Sequence, residues 1–513
     1  MPVSWEREVE ELNRRHAWAE ELGGRENIDR LHNQGRRTVR ERIARLTDPG
    51  SFHEVGKLAG NAVYEEGELK KVVPAPYVMG LARVDGREVC IGGEDFTIRG
   101  GASWSGARSK GGQSGFVEDL AYEYRIPLIN LLDGAGGSVM SAKRRGYSVL
   151  PGSHGFERNV DLMDTVPVIG AVLGSAAGGP AARAVLTHFS VMVKGTSHVF
   201  VAGPSIAERG LGEDIDKEGL GGYKVAVDIA GTVDNAVDSE DESFEQIRRF
   251  LGYMPQNVHE LPPEVANDDP ADRSEEELLS IVPRERRRPY DMRRLVELVI
   301  DRDSGFEIQP TFGRAVFTFL ARFSGRPVGV IAHNPAYYGG AVDPKSARKQ
   351  TKFIKLCDTF HIPIVFFVDT PGFLVGRKAE EGGMIRDGVE SMAALLKARV
   401  PVLTVIVRKC YGIAGTVPFD KNGVDFQVAW PSAEWGSLPI EGGVAVAFRR
   451  EIAAAPDPRE REAELEEEFR ELASPFLTAQ AFAVEDVIDP RATRPLLCRF
   501  LDAAQTRLKS DFG

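Results

Sequence analysis

The chain repeats itself, and no other feature restricts its fold as strongly. The stretch LARVDGREVCI at 81–91 returns as LARFSGRPVGV at 320–330, displaced by 239 residues. YRIPLINLLDGAGG returns as FHIPIVFFVDTPGF at a displacement of 236, setting Ile126-Pro127 against Ile362-Pro363 and Asp133 against Asp369. VPVIGAVLGSAAGG returns as VPVLTVIVRKCYGI at a displacement of 234, with Val166-Pro167-Val168 against Val400-Pro401-Val402. Landmarks in one order with a slowly drifting displacement mark an internal duplication, so one architecture must serve twice.

Each copy reads as α/β. IPIVFFVD and VPVLTVIV are β-branched, nearly free of polar residues and too short to span a membrane, as expected of strands covered on both faces by helices. SARKQTKFIKLCDTFH and GMIRDGVESMAALLKARV carry helical patterns, the second with Ile385, Val389, Met392 and Leu395 on one side. REREAELEEEFREL, with Leu465, Phe469 and Leu472, predicts an amphipathic surface helix. With 513 residues, more than one domain is expected. HELPPEVANDDPADRSEEELLSIVPRERRRPYDM, rich in Pro and charge, reads as a solvated connector. The expected division is an N-terminal domain over 1–265, a linker over 266–285 and a C-terminal domain over 286–513.

A formal charge of −12 argues against a general nucleic-acid grip. The charged start MPVSWEREVEELNRRHAWAEEL has no apolar signal core, and no run reaches membrane-span length, so a cytoplasmic location without membrane partners is expected. Cys90, Cys357, Cys410 and Cys498 are scattered without metal-ligand spacing, which predicts small buried apolar residues and no metal.

No G-x-S-x-G, Walker loop, H-E-x-x-H or complete G-x-G-x-x-G is present, which turns attention to the backbone. Ligands of α/β sheets collect at the carboxyl ends of strands, and here those ends read DGAGGS, AAGGPAA, DTPGF and YGIAGT. Small residues there let a ligand approach the main chain. Paired N–H groups opening a helix form an anion hole, and Gly178-Gly179 and Ile413-Ala414 are such pairs, expected to be related by the repeat. The same residues also suit tight strand-to-helix turns, and both readings stand. Asp133 and Asp369 end apolar strands, as bases or as caps of the following turns. Arg99-Gly100-Gly101-Ala102-Ser103 with Arg108 and Lys110, and the group Lys345, Arg348 and Lys349, are basic stretches suited to phosphate. His188, His198 and His361 read as structural.

Several segments resemble the carboxyltransferase (beta) subunits of biotin-dependent acyl-CoA carboxylases, the propionyl-CoA and methylcrotonyl-CoA carboxylase group in particular. They are LHNQGRRTVRERIARLTDPGSFHEVG, GEDFTIRGGASWSG, LLDGAGGS, GSAAGGPAA, GLGEDIDKEGLGGYK, DDPADRSEEELLSIVP, FVDTPGFLVG, EEGGMIRDGVE and DVIDPRATRPLL, running from about residue 20 onward in family order. The resemblance implies two tandem crotonase-like domains of the ClpP/crotonase superfamily. It implies transfer of a carboxyl group from carboxybiotin on a partner subunit to the α-carbon, or vinylogous carbon, of an acyl-CoA, with no cofactor covalently bound to this chain. Gly178-Gly179 would then hold the thioester enolate oxygen and Ile413-Ala414 the ureido oxygen of biotin. Both charges develop during transfer, so paired amides would serve without an acid or base side chain. The acyl-CoA segment corresponds to about Arg326 through Phe360, with Lys345 and Arg348; Gly100, Gly101, Gly136, Gly137 and Thr416 complete the expected binding set. The family site lies between the N-half of one subunit and the C-half of another, implying at least a dimer, usually a hexamer. An ATP-grasp domain, a Met-Lys-Met biotin site and a four-cysteine zinc ribbon are all absent, so a separate biotin carboxylase and carrier subunit is expected.

The chain departs from the family pattern in places. Tyr411-Gly412-Ile413-Ala414-Gly415-Thr416 replaces Y-G-G-A-Y-D, Arg386-Asp387-Gly388 replaces R-H-G, and Ala230 through Asp234 replaces S-G-V-A-H. Pro180 follows the first amide pair and lies outside it. These changes bear on substrate identity. Two other readings remain: the transferase component of an acyl-CoA decarboxylase, and a non-catalytic structural subunit of a mixed oligomer.

Overall fold

The computed structural model describes residues 4–102, 115–137, 139–148, 150, 156–418, 421, 423–424 and 426–512. It divides into two compact units, Met1–Val258 and His259–Gly513.

In the first unit, β1 (Tyr77–Val84) and β2 (Arg87–Glu94) form an antiparallel hairpin. Asp85 and Gly86 both take positive φ, 50° and 78°, the two-residue turn whose twist matches paired strands. From β2 the sheet continues in parallel through β3 (Leu128–Gly134), β4 (Val168–Ala177) and β5 (Phe189–Val193). Short strands at His53–Glu54 and Asn235–Val237 close the edges, and His198–Phe200 pairs with the end of β4. Every residue of β3 is buried: Leu128 and Leu132 share one face, packed by Val117 and Ala121 of α1 (Phe116–Tyr124) and by Ala181 and Ala184 of α2 (Gly179–Val185), while on the other face Val39 of the helix Val39–Leu46 approaches Gly93 beside Leu131.

The second unit repeats this plan with β6 (Val316–Phe323), β7 (Arg326–His333), β8 (Ile364–Thr370), β9 (Val402–Tyr411) and β10 (Phe426–Ala429). Its hairpin turn uses Ser324 and Gly325, again with both φ positive, 50° and 79°. The crossovers contain α3 (Pro344–Thr359) and α4 (Met384–Lys397). The helix Pro458–Leu472 buries Leu465 against Ile440 and Val444 and leaves Leu472 exposed. Among the described residues no helix is long and apolar enough to cross a membrane.

Two expectations need correction. Residues 266–285, though mostly exposed, belong to the second unit and do not form a separate connector. Leu278 lies in its apolar core, and the Arg273 guanidinium donates to the carbonyls of Leu298 and Ile300 at 2.7 and 2.6 Å. Helix α4 buries Met384, Gly388, Ser391 and Leu395, not the Ile385–Val389 stripe, which is exposed. Gly388 decides this, because a Cβ there would meet the Phe373 ring.

Candidate functional site

The glycines singled out from sequence gather at the carboxyl ends of the strands. In the first unit, Gly178 follows β4 with φ 61° and ψ −116°, and its carbonyl accepts from the Ala182 amide at 2.9 Å. A Cβ on Gly178, Gly179 or Gly137 would meet nothing within 4 Å, so the main chain there lies open. Gly136, with φ 72°, passes close to the Ala177 carbonyl and lies near Gly178. Gly101, with φ 65°, packs on Asp133 and Gly134, and the Gly100 carbonyl accepts from the Ala135 amide at 3.1 Å. The three glycine pairs therefore meet at the ends of β3 and β4. Ser103, Arg108 and Lys110 lie outside the described residues.

The second unit has the same turns. Gly339 and Gly340 take φ of 64° and 88° where Gly100 and Gly101 stand in the first unit, and Gly340 packs on the Asp369 carbonyl as Gly101 does on Asp133. Gly412 follows β9 with φ 62° and begins α5 (Gly412–Thr416). Both ten-residue strands, β4 and β9, end at this displacement of 234, so Gly178 answers to Gly412 and Gly179 to Ile413. The pair Ile413-Ala414 thus lies one residue beyond the strict counterpart of Gly178-Gly179. Its Ala414 amide answers to Pro180, which has no N–H. First-turn amides lack a partner within their helix, and Ile413 is half exposed. Thr416 turns its hydroxyl back to the Ile413 carbonyl at 2.7 Å.

The three basic residues of α3 separate. Lys345 lies over the Phe312 ring, 5.6 Å from its centre. Arg348 is half exposed and pairs with Asp387 at 2.8 Å, which Arg386 shares at 2.9 Å. Lys349 is buried, donating to the Gln309 and Val316 carbonyls at 2.8 Å each, and burial pushes its ammonium down to about 7. It faces the core and cannot meet a phosphate.

Asp133 and Asp369 are neither exposed bases nor caps. Asp133 is fully buried between Arg36 and Arg42, and Arg42 also holds Glu240 at 2.7 Å. Asp369 is fully buried against Arg408 at 3.0 Å and accepts from the Tyr290 hydroxyl at 2.9 Å. The departures at Asp234 and Asp387 are likewise buried anchors, Asp234 accepting from the Ser190 amide at 2.9 Å. His188 is structural, its ring bonded to the Val168 amide and the Met163 carbonyl, and His361 stacks on Phe512.

His198 differs from the other two. Its Nδ1 lies 3.2 Å from Ser175 Oγ and its Nε2 3.4 Å from Glu218. Sequence reasoning missed this group and the arginines around Asp133 because their partners lie far apart along the chain. The one local signal was a serine interrupting an apolar strand just before AAGG.

Two α/β units of one strand order, with glycine turns at matched strand ends, define a duplicated α/β class that brings main chain to the carboxyl ends of its sheets. Comparison with known proteins narrows this. Residues 30–512 match the family described as carboxyl transferase domain. The propionyl-CoA carboxylase carboxyltransferase subunit of Haloferax mediterranei is 36% identical over 512 residues, 99% of this chain and 98% of that one. Methylmalonyl-CoA decarboxylase subunit alpha of Veillonella parvula is 33% identical over 497 residues, 96% and 95% of the two chains. The crystal structure of transcarboxylase 12S, a hexamer with methylmalonyl-coenzyme A and methylmalonic acid bound, matches with TM-score 0.88 and 32% identity over 99% of this chain and 96% of that one. The chain belongs to the carboxyl transferase domain family and is a carboxyltransferase of the biotin-dependent acyl-CoA carboxylase group.

Proposed function

We propose that this chain passes a carboxyl group from carboxybiotin, carried by a separate biotin carboxylase and carrier subunit, to the α-carbon or vinylogous carbon of an acyl-CoA. The observation that carries the reading is the matched pair of left-handed turns, Gly178 and Gly412, with φ of 61° and 62° at the ends of equivalent strands. The Gly178 and Gly179 amides hold the thioester enolate oxygen, and the Ile413 and Ala414 amides hold the ureido oxygen of biotin. Carboxybiotin supplies the carboxyl group and, once that has left, a nitrogen able to take the α-proton. Small residues at Gly100, Gly101, Gly136 and Gly137 admit the acyl-CoA to the main chain, Lys345 and Arg348 face its phosphates, and Thr416 borders the acyl pocket. The active form is at least a dimer, in keeping with the hexamer of transcarboxylase 12S, and acts in the cytoplasm.

The test is a panel of acyl-CoAs incubated with the purified chain and a biotinylated partner. One acyl-CoA should gain radiolabelled carboxyl from the charged partner, and no transfer to any of them would defeat the proposal. The likeness to the Veillonella decarboxylase subunit favours a second reading, reverse transfer from a carboxylated acyl-CoA, which a carboxyl-labelled acyl-CoA incubated with the uncharged biotinylated partner detects as label appearing on biotin.

A further inference from the structure

The first unit contains a connected line of polar side chains beside the open turn. Ser175 is the third residue from the end of β4, and strand pairing sets it opposite His198. The Lys217 ammonium donates to Ser175 Oγ at 3.4 Å. Ser175 Oγ stands 3.2 Å from His198 Nδ1, and His198 Nε2 stands 3.4 Å from Glu218. One set of protons is consistent with the line: Nε2–H faces the carboxylate at ion-pair distance, Nδ1 is left to accept from the hydroxyl, and the ammonium supports negative charge on Oγ. A hydroxyl bonded to a base that a third group orients is the arrangement of an activated nucleophile.

The duplication sharpens the point. In the second unit the same strand register pairs Lys409 with Glu434, and Lys409 Nζ bonds instead to the Gly339 carbonyl at 2.6 Å. The sheet therefore does not require a serine and a histidine at these places; only the first unit has them.

We propose that Ser175 is the nucleophile of a second activity, hydrolysis of the acyl-CoA thioester to a carboxylic acid and free thiol. Its use on acyl-CoA rests on the reading that Gly178 and Gly179 receive the thioester oxygen. Oγ attacks the carbonyl carbon as its proton passes to His198 Nδ1. The C–S bond breaks, and the sulfur leaves as thiol with that proton. Water then attacks the acyl-serine, giving one proton to His198 Nδ1, which returns it to Oγ as the acid departs. Thioester and water are consumed and acid and thiol formed, with no redox change. Lys217, Glu218 and Arg36 are the charged groups acting on His198, and burial lowers its affinity for a proton below the ordinary histidine value. Since the neutral ring is the base, hydrolysis should rise with pH through a midpoint below 6.5.

The experiment follows thiol release from the panel acyl-CoAs by the purified full chain, and labelling by a fluorophosphonate, which reacts with activated serines without needing a CoA site. The wild-type chain should release thiol and carry the label on Ser175 by peptide mass analysis. Ser175→Ala should abolish both, and His198→Gln should slow both by roughly 100-fold, with circular dichroism unchanged. Label on Ser175 without thiol release would place the failure in the acyl-CoA reading and retain the nucleophile. Absence of label on Ser175, or thiol release that persists in Ser175→Ala, would overturn the inference.

Discussion

Arg36 fills the space that Gly174 leaves empty. Its guanidinium and the buried Asp133 carboxylate it pairs with together stand where any larger residue at 174 would place a Cβ. In the second unit the position equivalent to Gly174 is Arg408, which reaches the equivalent Asp369 from its own strand at 3.0 Å. The two copies keep the same buried carboxylate and neutralise it by different routes. That is how an anchor survives duplication while its surroundings drift.

Removing either carboxylate leaves buried guanidinium charge without its partner. Asp133→Ala strands Arg36 and shares Arg42 with Glu240 alone; Asp369→Ala strands Arg408. Each should cost about 3–5 kcal/mol. Denaturant unfolding at fixed protein concentration measures this, since assembly would otherwise enter the comparison. A loss below about 1 kcal/mol would show that neither aspartate anchors its unit.

The proposed amide holes can be tested without deleting a side chain. Gly179 opens α2, a position where proline is accepted, so Gly179→Pro removes one donor and retains the helix start. Ile413→Pro does the same in the first turn of α5. Each should lower kcat for carboxyl transfer by roughly 10²–10³. Unchanged kcat in both variants, with thermal stability retained, would move the oxyanion contacts elsewhere.

Much of this was legible in the chain because it is local. The paired motifs announced two α/β units, and the first motif pair contains the hairpin turns Asp85-Gly86 and Ser324-Gly325 that the structure shows. The glycine ends were visible because close approach to a carbonyl, as at Gly136 and Gly340, excludes a Cβ. Burial direction was not legible: Lys349 sits among basic residues yet turns inward, and Leu278 lies in an acidic, proline-rich stretch yet packs in the core. Contacts such as Arg42–Glu240 and Ser175–His198 join distant segments, and no periodicity encodes them.

Lys345 and Arg348 should differ as phosphate contacts. Asp387 holds Arg348, whereas Lys345 rests beside the Phe312 ring. Lys345→Ala should raise KM for acyl-CoA about fivefold with kcat retained, matching one exposed ionic contact of about 1 kcal/mol. Arg348→Ala should raise it less. Equal or reversed effects in steady-state kinetics would show that Asp387 does not occupy Arg348.

Lys349 makes stability depend on pH in a predictable direction. Its ammonium titrates at about 7 when folded, against an ordinary value of 10.5, because burial disfavours the charge. Below about 7 both states hold the proton; between about 7 and 10.5 the unfolded chain binds more protons than the folded one. Unfolding free energy from this site therefore rises with pH across that window, by up to about 1.4 kcal/mol per unit. Lys349→Met keeps similar volume and has no titrating group, though it leaves the Gln309 and Val316 carbonyls without their donor. That lost bonding lowers stability by an amount independent of pH, so the gap, wild-type stability minus variant stability, should rise steadily from pH 7 to pH 10. Denaturant midpoints across this range report the gap, and since other titrating groups are common to both proteins they cancel in the difference. Parallel stability curves would mean that Lys349 keeps the same charge in both states.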